Sequence, residues 1–135
     1  MSAYKNLEIY QSAFTLAIKI YRLNVTLSVS ALLNQGNRLR WASLRIKDLI
    51  AEAYTGIKSE KEIVRNLSLA ETSCEDVIGL LKKIRSNNEN LKQLPELIKS
   101  YKSLKRKIGS TLQKIQDDKN TYVLPFPDSL VMEVA

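Results

Sequence analysis

The chain has 135 residues, of which 44% are apolar, 4 are glycine and 3 are proline. That is one domain's length with one core, and so few turn residues exclude a β-sandwich or a Rossmann-like sheet. There are 21 basic and 14 acidic side chains for a net charge of +7, no histidine, and a single cysteine, Cys74, which excludes histidine-dependent catalysis, histidine-ligated metals, a cysteine-cluster zinc site and an intrachain disulfide.

The first predicted helix follows Leu7. Two apolar stripes run along it at steps of three and four. One is Leu7, Tyr10, Phe14, Ala17, Ile18 and Tyr21; the other is Ile9, Ala13, Leu16, Ile20 and Leu23. A helix in a monomeric bundle needs one such stripe, so the second implies a subunit contact. Asn24–Ser28 reads as a connection. A second helix is expected from about Ser28 or Ser30 to Tyr54, with a stripe of Leu39, Ala42, Ile46, Leu49 and Ala53. Gly36 lies inside it and predicts a bend or a late start.

Ser59-Glu60-Lys61-Glu62 has the form of a capping box. The third helix carries Ile63, Leu67, Ala70, Cys74, Val77, Leu81 and Ile84 at heptad spacing and should stop at Ser86-Asn87-Asn88. Leu94-Pro95-Glu96 opens the fourth, with proline tolerated in the first turn. Its stripe is Leu94, Leu97, Ile98, Tyr101, Leu104, Ile108, Leu112 and Ile115, and Asp117–Asn120 should end it. Residues 119–135, with prolines at 125 and 127, are expected to be an extended tail that is acidic and apolar. The reading is all-α: an up-down-up-down four-helix bundle over residues 1–118. The N-terminus resembles no signal peptide, and no membrane helix is expected; a cytoplasmic location follows as an expectation.

Chemistry concentrates in two basic sets. Arg38, Trp41 and Arg45 fall on one face of the second helix, with Arg40 close by. Guanidinium groups contact phosphates and an indole stacks on an unpaired base. The plainer reading buries Trp41 in the core or at a subunit contact. The fourth helix carries Lys99, Lys102, Lys105, Arg106, Lys107 and Lys114. Lys99, Lys102 and Arg106 share a face that suits phosphates, or that is simply solvated. Glu71 and Glu75 are one turn apart, but without histidine they form no ferritin-like metal motif; Glu75 could instead pair with Lys82 or with basic residues across an interface. Cys74 sits at a core position and reads as a small hydrophobe. No metal, no cofactor and no enzymatic activity are expected. The basic excess predicts a polyanionic partner, RNA or DNA.

Several stretches resemble one bacterial family of four-helix bundles, named for an open reading frame in intervening sequences of large-subunit ribosomal RNA genes. Leu7-Glu8-Ile9-Tyr10-Gln11 resembles its Leu-Glu-Val-Trp-Gln opening. Arg40, Ile46 and Ile50-Ala51-Glu52 resemble its second helix, and Ser59, Glu62, Ile63, Val64, Arg65, Leu67 and Ala70 its third. Lys47, Leu49 and Ala53 depart from the family's proline, asparagine and glycine, which implies a straighter second helix. The resemblance covers roughly residues 4–115. It implies a homopentamer with a central channel and no catalytic residues. A related branch, the accessory variability determinants of diversity-generating retroelements, binds reverse transcriptase and nucleic acid, so an accessory role or interaction scaffold is the alternative to direct nucleic-acid binding.

Overall fold

The computed structural model describes residues 3–87 and 91–123. A 3-10 turn, Ala3–Asn6, leads into α1, Glu8–Asn24. The rod we label α2 has three parts: an α-helical turn at Val29–Ala31, a π-helical turn at Leu32–Gly36, and a long α-helical body at Asn37–Ala53. Then come α3, Glu60–Ser86, and α4, Gln93–Val123. Each helix packs on its sequence neighbour and α4 returns to α1. The order is therefore cyclic, and the expected four-helix bundle forms. No helix of the described residues is long and apolar enough to cross a membrane.

Local chemistry sets the helix ends. Thr26 closes α1 by donating both its hydroxyl (2.7 Å) and its backbone N–H (2.9 Å) to the Leu23 carbonyl. Ser28 caps α2 by accepting from the Ala31 N–H at 3.1 Å. The capping box at α3 is complete. Ser59 Oγ accepts from the Glu62 N–H, and Glu62 Oε1 accepts from the Ser59 N–H, each at 3.1 Å. The Ser59 N–H and then the Ser59 hydroxyl, both donating to the Glu62 carboxylate, hold it below its usual range. Gly56, in the turn before Ser59, has φ of 70°, a left-handed conformation that favours glycine.

Two boundaries differ from expectation. The α2 rod is helical from Val29, so Gly36 does not delay it. A π turn forms there instead, and Asn24 Nδ2 donates to the Gly36 carbonyl at 2.9 Å, tying the end of α1 to that turn. Little room exists beside Gly36: a Cβ there would come 2.7 Å from Leu32 Cδ1 and 3.3 Å from Asn24 Oδ1. At the other end, α4 passes the expected stop at Asp117–Asn120 and reaches Val123. Gln113 donates to Asp117 at 3.1 Å one turn on, which supports the helix there. No breaker occurs until Leu124, which precedes proline. The third helix stops where expected, at Ser86 with Asn87 as its C-cap; Asn88 and the tail from residue 124 lie outside the described residues.

The core takes one face from each helix. On α1 it takes Ile9, Ala13, Leu16, Ile20 and Leu23, with Ala17 from the other stripe. On α2 the buried stripe is Leu39, Ser43, Ile46, Ile50 and Ala53, so it is turned slightly from the expected one; Ala42 and Leu49 are only partly buried. The expected heptad of α3 is buried from Leu67 to Ile84, with Ile63 partly buried. Leu94, Leu97, Ile98, Tyr101, Leu104 and Ile108 complete the core from α4. Burial pushes the Cys74 thiol up to about 12, with Glu71 adding to the shift, so the thiolate is scarce.

Among the described residues Tyr101 is the largest fully buried side chain, and its hydroxyl has no hydrogen-bond partner there. Desolvation pushes its ionisation far above the ordinary tyrosine value. A buried hydroxyl without a partner costs free energy that a phenyl ring does not. Tyr101→Phe should therefore keep or raise stability, by up to about 1 kcal/mol, in urea unfolding followed by circular dichroism. A loss of 2 kcal/mol or so would mean that the hydroxyl has a partner.

Candidate nucleic-acid interface

The α2 face opposite the core carries Arg38, Trp41, Arg45, Asp48 and Glu52, spaced at three, four, three and four. Trp41 is 71% exposed, so the core reading of this residue is overturned. It sits in a groove of about 780 Å³ between α2 and α3, with Arg38 and Arg45 on either side of it along the helix and Leu44, Leu49 and Leu80 as apolar wall. The two carboxylates of α2 in this groove are engaged. Asp48 pairs with Lys47 at 2.7 Å and Glu52 with Lys58 at 3.1 Å. Among the described residues neither Arg38 nor Arg45 has an ion-pair partner. Asp76 on α3 faces the same groove and offers an acceptor for a base amino group. Arg40 is exposed but lies roughly 100° round the helix from Trp41 and does not line the groove.

The α4 cations divide by face. Lys105 turns towards α3 and pairs with Glu75 at 2.6 Å. Glu75 and Glu71 together hold the Lys105 ammonium above its usual pKa. Lys107 turns towards α1 and pairs with Glu8 at 3.1 Å. These two lysines, expected at the phosphate surface, instead bridge α4 to its neighbours. Lys99, Lys102 and Arg106 point outwards without an ion-pair partner among the described residues. A Cβ at Gly109 would lie 3.0 Å from Glu71 Oε2, at the tip of that side chain. Because α2 and α4 are diagonal in the bundle, the Arg38–Arg45 groove and the Lys99–Arg106 face occupy opposite corners of one protomer.

Sequence reasoning missed two features here. It offered Lys82, or a residue across an interface, for Glu75, whereas the partner is Lys105, whose side chain faces Glu75 only because α3 and α4 pack antiparallel. It also gave no sign of the groove wall, which needs Leu80 of α3 beside α2. Of the outer stripe expected on α1, Ala17 is buried, whereas Phe14 is 47% exposed and Tyr21 65%, with Ile18 exposed between them; Val25 beyond the helix is exposed as well. Tyr10 stacks on Phe14 along the same face, with ring centroids 6.3 Å apart. No group of His, Cys, Asp or Glu among the described residues could hold a metal.

A family model described as 23S rRNA-intervening sequence protein matches residues 5–110. No curated protein and no solved structure matches the chain.

Trp41 is the only tryptophan, so its fluorescence reports this groove alone. Iodide should quench it strongly and more than caesium does, because two guanidinium groups concentrate the anion. Weak quenching by both ions would place Trp41 inside a subunit contact instead.

Proposed function

Because the chain belongs to the family of 23S rRNA-intervening sequence proteins, we propose that it is a non-enzymatic, self-associating bundle that binds single-stranded nucleic acid. One observation carries this reading: an exposed indole on an apolar groove wall stands between two guanidinium groups that have no ion-pair partner among the described residues. That arrangement suits a base stacked on Trp41 with its flanking phosphates on Arg38 and Arg45. Stacking is indifferent to base identity, so sequence selectivity should be low. Lys99, Lys102 and Arg106 supply a second phosphate ridge on the opposite corner. A strand reaching both would have to pass around the protomer or between protomers.

Self-association is supported by the α1 outer stripe. Phe14, Ile18 and Tyr21, with Val25 just beyond the helix end, stay exposed along one face, while Tyr10 at its start also packs against the core. A second copy burying this stripe would remove a contiguous apolar surface from water. Five copies would close the ring that the family resemblance implies, and repeated weak sites would add by multivalency. The same stripe is what an accessory subunit would offer to a protein partner such as a reverse transcriptase, and the two readings predict different masses.

Light scattering of the pure protein, with and without an unstructured RNA, reads both parts. The expected result is a homo-oligomer without RNA, and added mass with RNA that falls as salt rises. The binding constant should drop with salt concentration at a log–log slope of about −0.7 per phosphate contacted. A monomer that ignores RNA at low salt contradicts the reading. A monomer that assembles only with a reverse transcriptase favours the accessory role.

A further inference from the structure

The inward stripe of α2 begins Ala31, Gln35, Leu39, and one of these three is polar. Gln35 occupies a core position within the π turn and is only 5% exposed. Its side-chain amide makes no hydrogen bond among the described residues. Leucine would fit the burial pattern better, so an amide here needs its partners from the cavity that it lines.

The amide lines a cavity of about 240 Å³ between the start of α2 and the last turn of α3. Asn34, Asn87, Ser28 and Ser30 contribute the other polar groups, and the buried Ile84 contributes apolar surface. Among the described residues no charged side chain lines it. Asn34 already donates from its amide nitrogen to Ser30 Oγ at 3.3 Å, which leaves its carbonyl oxygen available as an acceptor. Asn87 is the C-terminal cap of α3, so the cavity lies at the negative end of that helix, where a ligand bringing N–H donors is favoured.

We infer that this cavity binds one nucleobase by its hydrogen-bonding edge, with preference for bases that carry an exocyclic amino group. The volume equals that of about eight water molecules, enough for one flat heterocycle. Side-chain amides are the groups that pair with adenine in two-point contacts, because each presents a donor and an acceptor side by side. Ile84 gives the ring an apolar contact. Adenine, cytosine and guanine offer amino donors to the Asn34 and Gln35 carbonyl oxygens. Uracil offers no amino group and should bind most weakly. The described lining is uncharged, which separates this site from the phosphate contacts on the outer faces. It stands on the cavity alone and survives if those contacts fail.

Equilibrium dialysis of the full chain against adenosine, cytidine, guanosine and uridine tests it. Nucleosides lack phosphate, so binding should be nearly independent of salt, unlike binding to the outer faces. The three amino-bearing nucleosides should bind and uridine should bind least. Gln35→Leu should weaken binding about tenfold while the unfolding midpoint stays level or rises. If that variant does not fold, Asn87→Ala, at an exposed helix end, should lower affinity severalfold. No binding of any nucleoside at millimolar concentration, or full binding by Gln35→Leu, overturns the inference. An oligoadenylate and its abasic counterpart then distinguish the source. Gln35-dependent preference for the base-bearing strand assigns the cavity to a base within single-stranded nucleic acid; indifference of both strands to Gln35 assigns it to a free nucleoside.

Discussion

A helix in this bundle can turn only one face to the interior, and that limit decides where every other side chain falls. The shared core of Ile20, Leu23, Leu39, Ile46, Leu81, Tyr101 and Ile108 fixes the rotation of all four helices. Once α2 buries Leu39, Ile46 and Ile50, Trp41 must face outwards, because it lies on the opposite side of a 3.6-residue turn. The same rotation points Arg38 and Arg45 out beside it. On α4, burying Tyr101 and Leu104 brings Lys105 round to α3 and Lys107 to α1, and leaves Lys99, Lys102 and Arg106 on the outside. The candidate interface is thus what remains after the core has taken its share.

This sorting gives like charges different roles. Lys105 and Lys107 sit on helix flanks where carboxylates wait, and they tie α4 to two neighbours. Such partly exposed pairs contribute little stability each, so their main consequence is that they are less available to a phosphate. The outward cations have no such partner and keep their full field for a ligand. On α1 the limit acts on apolar groups. That helix has two stripes and one interior, so Phe14, Ile18 and Tyr21 stay exposed within a single protomer.

Much of the fold was legible in the sequence because helical periodicity and caps are local. The Ser59–Glu62 box, the α3 heptad and the two α1 stripes all depend on residues within a few turns. Trp41 was harder to place, since a lone large aromatic favours burial in general and only the register of its own helix says otherwise. The α4 end was misjudged because Asp117 and Asp118 look like a stop, while the Gln113–Asp117 bond continues the helix until proline intervenes. Features that need two helices at once were invisible: the Lys105–Glu75 bridge, the wall that Leu80 lends the Trp41 groove, and the cavity between α2 and α3 that holds Gln35. The π turn at Leu32–Gly36 also has no simple sequence signal, although Gly36 marked the place.

The central claim is that partnership within the fold decides which cations meet a ligand. The most direct measurement is the salt dependence of binding to a single-stranded oligonucleotide for Arg106→Gln and Lys105→Gln against the unchanged chain. Arg106→Gln should make the log–log slope shallower by about 0.7, and Lys105→Gln should leave it unchanged. Equal effects of the two substitutions, or a shallower slope for Lys105→Gln alone, would contradict the account.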